Sequence, residues 1–302
     1  MVERSSGMTH PRIASAALIV NAKSRRGQKL FAQACTFVGD LPFPVDAHAV
    51  DDPSELEATV RRALAKKPDL VILGGGDGTI SGLVDLLVGK DVILGVLPLG
   101  TANSFSRSLG LPLDIAGAVR VLADGEPRRI DLGMIDGDYY ANCAAMGISP
   151  QIAETVPHLL KKVAGRVGYL GWAALQFFRF HSFTLIVGEG KDAARIKAVE
   201  VRISNGPFHG GTEVVEGAEV DSGEIVIQAV KGPFKRNLAK NWAASFFRHD
   251  SRHEHTVAFS GKSMRIDTIP SGMPISIDGE VLAHTPVTAH IAAGVIEVMV
   301  PR

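Results

Sequence analysis

Short, continuously apolar runs alternate with segments of helical spacing over the first 125 or so residues, and nothing else in the chain constrains its fold as strongly. Residues 15–21 (SAALIVN), 44–50 (PVDAHAV), 69–73 (DLVIL) and 91–98 (DVILGVLP) read as strands. Residues 27–38, 53–67 and 79–88 read as helices, with Ser54 and Glu57 placed as a capping box at the start of the second. Strands separated by helices imply a parallel sheet, and strands this apolar imply burial on both faces. At ADGEPRR (123–129), a Gly/Pro-bearing charged stretch suited to a hinge, the alternation fades. Beyond it strand-like runs dominate, from RIDLGMI to VIEVMV, and only 151–180 and 234–248 look helical. The expectation is an α/β domain over 12–128 joined to a β-rich domain over 129–302.

Composition excludes several classes. The chain is 46% hydrophobic and 21% charged, enough to build a core and unlike a disordered segment. Lys plus Arg equals Asp plus Glu at 32 each, so no single-sign field marks nucleic acid as a partner. Two cysteines, Cys35 and Cys143, are too few for a disulfide framework and point to a reducing compartment. The apolar run ending at Asn21 reads as a first strand rather than a signal peptide. No stretch approaches the ~18 apolar residues of a spanning helix. The expected location is therefore cytoplasmic, with peripheral visits to a membrane surface and no integral membrane segment.

Two stretches carry the chemistry. LVILGGGDGT (70–79) ends a buried strand in glycines and one carboxylate immediately before a helix. Ligands bind beyond the carboxyl ends of parallel strands. Glycine permits φ > 0 and close backbone approach, so successive N–H groups can line a phosphate-sized concavity. Asp77 can orient the turn or hold Mg²⁺ through water, and Thr79 can cap the helix. The bland alternative is a glycine-rich turn with no ligand. No GK[ST] follows, so this is not a P-loop; nor is it GxGxxG with a downstream acid. LPLGTANSFSRSLGLP (97–112) repeats the arrangement, opening a helix through Gly100 and Thr101.

Together these two motifs closely resemble the diacylglycerol kinase-like lipid kinase family, which includes sphingosine kinases and bacterial lipid kinases. Their spacing fits, and further pieces follow in order: IVNAKSRRG, RRIDLGMIDGDYYANCAAMGIS, VRISNGPFHGGT and ISIDGE (275–280). The resemblance implies a parallel-sheet nucleotide-binding domain, a C-terminal β-sandwich, and an active site in the cleft between them. It implies ATP and Mg²⁺ as cofactors, a lipid substrate at a membrane surface, and leaves a homodimer open. Carried over by position, Gly75, Gly76, Asp77, Gly78, Thr79, Gly100, Thr101 and Asn103 bind nucleotide, with Asn21 and Gly27 nearby. Glu280 acts as general base with Asp278 beside it, and Asp131 joins an acidic network around Asp77, a metal position with Asp77 and Asp221. Arg25 and Arg26 reach phosphate oxygens or remain solvated surface arginines.

The sequence departs from the family at three places. Ala22 replaces the usual proline, Ser104 follows Asn103 where an aspartate is frequent, and Ser222 replaces the second acid of a loop that holds a structural magnesium in some members. His249, His253 and His255 match no standard zinc spacing and read as a solvated loop. Trp172, Phe177, Phe178 and Phe180 read as core, or as the wall of an acyl-chain pocket. Two rivals stay open: a kinase of a soluble acceptor, as in NAD kinases, and a catalytically silent nucleotide-binding regulator.

Overall fold

The computed structural model describes residues 13–147, 182–232, 255–277 and 280–302. The expected helices 151–180 and 234–248, His249, His253, the aromatic stretch around Trp172, and Asp278 lie outside the described residues. The first half runs β1 (Ala16–Asn21), α1 (Arg25–Val38), β2 (Val45–Val50), α2 (Leu56–Ala65), β3 (Leu70–Gly75), α3 (Asp77–Val84), β4 (Ile93–Pro98), α4 (Ser104–Ser108) and α5 (Ile115–Asp124). The second continues as β5 (Glu126–Ile135), β6 (Asp138–Tyr140), β7 (Cys143–Gly147), β8 (Phe183–Val187), β9 (Ala194–Ser204), β10 (Phe208–His209), β11 (Thr212–Glu213) and β12 (Ile225–Lys231). It closes with β13 (Thr256–Gly261), β14 (Ser263–Ile269), β15 (Pro274–Ile277), β16 (Glu280–His284) and β17 (Val287–Val300).

β2, β1, β3 and β4 are neighbours in that order, all parallel. β3 and β4 are buried at every position and β1 at all but Asn21, as their unbroken apolar sequences require. β2 departs from that expectation: it closes the sheet at one edge, and Asp46, Ala47 and Ala49 are exposed. The strand order reverses between β1 and β3, since the chain goes from β1 out to β2 and returns on the other side. Such a switch point leaves a crevice beyond the strand ends.

Two local expectations change. The capping box does not form, because Pro53 opens a 3₁₀ turn capped by Asp52, whose side chain accepts from Ser54 N at 3.0 Å. Helix α2 therefore starts later, and Glu57 instead pairs with Arg61 one turn on, at 2.7 Å. The stretch 123–129 is not an extended hinge. α5 runs to Asp124, and the single residue Gly125 separates it from β5. A Cβ on Gly125 would lie 2.4 Å from the carbonyl oxygens of Val121 and Val300, so only glycine permits this tight junction.

That contact introduces the C-terminal strand, which links the two halves. Its end pairs parallel with β4 (Val298↔Leu94) and antiparallel with β5 (Val300↔Glu126). Its start pairs with β14 (Val287↔Ile266), inside the antiparallel region that continues through β8, β9, β7, β15 and β16. Each half has its own core: Leu18, Ile72 and Leu94 belong to the first, and Leu185, Val201 and Ile227 to the second. Val298 and Val300 sit in the first core although they belong to β17, the last strand. Among the described residues no helix is long and apolar enough to cross a membrane.

Val298 is fully buried. Val298→Ala should lower the unfolding free energy by about 2 kcal/mol, the transfer value of the lost methyl groups plus a cavity contribution. Urea denaturation measures it, and a loss under about 0.5 kcal/mol, the range of ordinary surface positions, would show that β17 is not integral to the first core.

Candidate active site

A cleft of about 330 Å³ opens at the β1/β3 switch point. The β1–α1 junction lines it with Asn21, Ser24, Arg26 and Gly27; β3 and α3 contribute Gly75, Gly76 and Thr79; the loop after β4 adds Gly100 and Thr101. Of the sequence-predicted nucleotide positions, Asn21, Gly27, Gly75, Gly76, Thr79, Gly100 and Thr101 line it, whereas Asp77, Gly78 and Asn103 do not. A larger hollow of about 660 Å³ lies at the opposite ends of β3 and β4, lined by Asp69, Lys90 and Asp91, and contains none of the glycine turns.

The glycines are present for space rather than for left-handed backbone. Gly76 has φ −92°, an extended value open to any residue. A Cβ on Gly100 would lie 2.5 Å from Gly76 Cα, and one on Gly75 would lie 2.5 Å from Thr79 Cβ. The two turns are packed backbone on backbone. Leu99 N donates to Gly75 O at 3.0 Å, and the Asp77 carboxylate accepts from Phe105 N, at the start of α4, at 2.9 Å. Asp77 therefore ties the first turn to the second. The left-handed residue is Asn103, φ 49°, a conformation asparagine tolerates well. Its Oδ1 accepts from Gly100 N at 2.9 Å while Nδ2 donates to Gly100 O at 3.2 Å, so Asn103 is buried and shapes the loop from behind.

Helix α3 starts at Asp77, two residues earlier than expected, because Gly76 already serves as its N-cap. Thr79 lies inside the helix and does not cap it; Asn21 Nδ2 donates to its hydroxyl at 3.4 Å, across the switch point. Gly78 is exposed in the same first turn. Ser24 caps α1 by accepting from Gly27 N at 3.0 Å, and a Cβ on Gly27 would lie 3.0 Å from Asn21 O. Arg26 is exposed at the cleft wall.

The acids fall into three places. Asp77 lies in sequence between the cleft-lining Gly76 and Thr79, with one carboxylate oxygen spent on Phe105 N. Asp131 is buried and has different partners: its oxygens accept from Gly223 N at 2.6 Å and Gly294 N at 2.8 Å. Its hydrogen bonds pin the 219–224 loop and the β17 bulge, rather than joining a network with Asp77. Asp221 faces Arg128 at 3.7 Å. With both Asp131 oxygens on amides and a cation beside Asp221, these two do not fit a metal. Among the described residues no group of three or more His, Cys, Asp or Glu could hold one. Asp77 does fit Mg²⁺, which keeps several waters and needs only one or two carboxylates besides phosphate oxygens. Glu280 is exposed at the start of β16, paired with Ile277, which in turn pairs with Ala144 of β7. That end of β7 leads to Asn142, whose Oδ1 accepts from Ser108 of α4 at 2.9 Å. The register thus places Glu280 at the sheet end that meets α4, with no described hydrogen bond to the glycine turns.

Sequence reasoning missed the connection between the halves. Ser104, noted only as a departure, is buried and accepts from Gly211 N at 3.0 Å. Asn142 donates from Nδ2 to Phe208 O. Gly210 and Gly211, φ 60° and 82°, turn the β10–β11 hairpin as a two-residue primed turn. The i, i+4 spacing of Ser104 and Ser108 on one helix face was the available signal. The hairpin brings in His209. Burial pushes its imidazole below the ordinary 6.5, nearby Arg202 adds to that, and Glu200 and Asp77 oppose it. Asn205, from the same segment, donates its side-chain amide to Asp131 O and Ala141 O and serves the fold.

Residues 15–135 match the family model described as diacylglycerol kinase catalytic domain, and residues 142–300 that described as YegS C-terminal NAD kinase beta sandwich-like domain. The chain is 28% identical over 284 residues to a diacylglycerol kinase of Staphylococcus epidermidis, covering 86% of this chain and 83% of that one. It is 32% identical over 195 residues to the "Probable lipid kinase YegS-like" of Pseudomonas syringae pv. tomato, 63% of each chain. A crystal structure of a diacylglycerol kinase from Bacillus anthracis superposes with TM-score 0.71 at 20% identity over 96% of this chain and 98% of that one. A further structure from that organism reaches 0.78 at 22% identity over 99% and 98%. At such identities the two structures speak for the fold.

Gly100→Ala should drive the two turns apart, since its Cβ would meet backbone that has no soft rotamer to move. The expected result is a loss of about tenfold or more in affinity for ATP, roughly 1.4 kcal/mol, with a lowered thermal midpoint. Calorimetric titration checks it; unchanged affinity would separate the interlocked turns from ligand binding.

Proposed function

The chain belongs to the diacylglycerol kinase-like lipid kinase family, and from that premise we propose that it transfers the γ-phosphate of ATP to a lipid hydroxyl, that of a diacylglycerol or a related lipid such as a sphingoid base. The observation that carries the reading is the interlock of the two glycine turns at the β1/β3 switch point, where amides of two adjacent strand ends border one cleft. Phosphoryl transfer needs charge neutralisation and in-line positioning more than covalent chemistry. Gly75, Gly76 and Thr101 would bind the phosphates through backbone amides, with Gly100, its own N–H held by Asn103, shaping the second turn and Asn21, Gly27 and Thr79 beside them. Lys23 and Arg26, at the cleft wall, add positive charge. Mg²⁺ would be held at Asp77 and would neutralise phosphate charge.

An alcohol is far too weak an acid to ionise unaided near neutral pH, so a positioned carboxylate assists. Glu280 takes that role in this reading, supported by its exposure on the sheet end that meets α4. The division of labour follows the halves, with residues 12–128 holding nucleotide and 129–302 presenting the acceptor, drawn from a membrane surface. Asp131 and Asp221 are given no metal in this reading, their oxygens being engaged by the amides of Gly223 and Gly294 and by Arg128.

Two substitutions test it, with dioleoylglycerol vesicles and NAD offered side by side. Asp77→Asn keeps an oxygen for Phe105 N and removes the charge, so turnover should fall about 10²-fold or more while the thermal midpoint barely moves. Glu280→Gln should lower turnover by about 10²–10⁴ and leave ATP affinity within about twofold. Near-normal turnover in either variant removes that residue from the mechanism, and phosphorylation of NAD instead of lipid overturns the acceptor assignment.

A further inference from the structure

Glu280 opens β16, and the rest of that strand is unlike a protected sheet edge. Among the described residues β16 pairs only with β15 and so ends the antiparallel region. Exposed edges are ordinarily defended by charge, above all by lysine; here no lysine or arginine occurs from 266 to 301. The strand also bulges. Ile275 pairs with Ala283 and Ser276 with Val281, so Leu282 is an extra residue with no partner opposite it. A bulge at an edge re-aims a side chain, and Leu282 is 54% exposed.

A second apolar residue stands on the same rim. Ile269, at the end of β14, is 52% exposed, and Pro270 after it is exposed too. Isolated exposed aliphatics are ordinary, but among the described residues only Leu113, Ile269 and Leu282 are large hydrophobics left exposed, and two of them meet here. Thr285 fastens the 269–273 turn to the chain three residues beyond Leu282. Its carbonyl accepts from Gly272 N at 2.9 Å and its N–H donates to Met273 O at 3.0 Å. Its hydroxyl accepts from Met273 N at 3.0 Å and lies 2.6 Å from the hydroxyl of Thr268, next to Ile269. The rim is therefore rigid as well as apolar.

We propose that Leu282 and the 269–273 turn form a membrane-docking edge, which inserts into the acyl boundary of a bilayer and holds Glu280 above it at headgroup level. The inference rests on the lipid-kinase reading above. Leu282 follows Glu280 by two residues, about 6–7 Å along a strand, a separation comparable with that between the free hydroxyl of a diacylglycerol and the start of its acyl chains. An apolar side chain at that distance stays with the chains while the carboxylate meets the hydroxyl. The occupant is the neutral, apolar part of the bilayer rather than anionic headgroups, because the rim offers aliphatic side chains and no lysine or arginine. The first cation in register with Ile269 is Lys197, two strands away across Thr184.

The test measures cosedimentation of the full chain with dioleoylphosphatidylcholine vesicles, with no ATP present. Leu282→Ser and Ile269→Ser should each weaken partitioning about three- to tenfold, the value of withdrawing half an aliphatic side chain from the bilayer, with thermal midpoints unchanged. Leu282→Trp should tighten it, because an indole suits the membrane interface, a gain that misfolding cannot imitate. In the same serine variants, turnover of dioleoylglycerol carried in those vesicles should fall in step, while turnover of monomeric dioctanoylglycerol stays unchanged. Partitioning that is absent in the wild type, or equal in wild type and both serine variants, overturns the proposal. So does binding that needs anionic lipid and vanishes at high salt. A wild-type dimer in sedimentation velocity that Leu282→Ser dissociates also overturns it, since a second copy then covers the rim. If no lipid is phosphorylated, the lipid-kinase reading fails by itself, and the ATP-free partitioning of the three variants still decides whether the rim docks.

Discussion

The van der Waals approach of Gly76 to Gly100 is the constraint on which the rest of the site depends. Two strand ends in a parallel sheet are about 4.8 Å apart, and their following turns would ordinarily be separated by side chains. Removing the Cβ at 76 and 100 lets the turns touch, and the Asp77–Phe105 amide bond then fixes their relative position. A ligand at the β1/β3 switch point meets backbone donors from both turns without either having to move. Asp77 matters as the acceptor that starts α4 and so ties the second turn to the first.

From α4 the same rigidity passes into the second half. Ser104 and Ser108, one turn apart, hold the 208–211 hairpin and Asn142 respectively. At Ser104 a hydroxyl bonds across the two halves. Asp131 does a comparable job further out, drawing the amides of Gly223 and Gly294 onto one carboxylate. These links, with β17 running through both cores, explain why a chain with two cores presents one cleft with a fixed geometry.

Much of this was legible in the sequence for a simple reason. Strands β1, β3 and β4 are buried on both faces, so their sequences are continuously apolar and announce themselves; the glycine turns follow directly. The edge strand β2 reads as a strand but gives no sign of its exposed face, and the first half of β17, Val287 to Gly294, is half-exposed and carries no unbroken apolar run. The capping box was misread because Pro53 and Asp52 compete for the same helix start. The contacts of Ser104 and Asp131 were illegible because their partners lie 107, 92 and 163 residues away. A polar residue with a distant backbone partner looks, in sequence, like any surface serine or any metal-ligand aspartate. The resemblance implies an acidic network for Asp131, whereas the hydrogen bonds it makes are to the amides of Gly223 and Gly294.

The central claim is that this cleft donates the γ-phosphate of ATP to a lipid. The most direct measurement incubates the protein with γ-labelled ATP, Mg²⁺ and a total lipid extract, then partitions the products between organic and aqueous phases. The account predicts label in a discrete organic-soluble phospholipid species that disappears with Asp77→Asn. Label confined to free phosphate or to a water-soluble acceptor would contradict it.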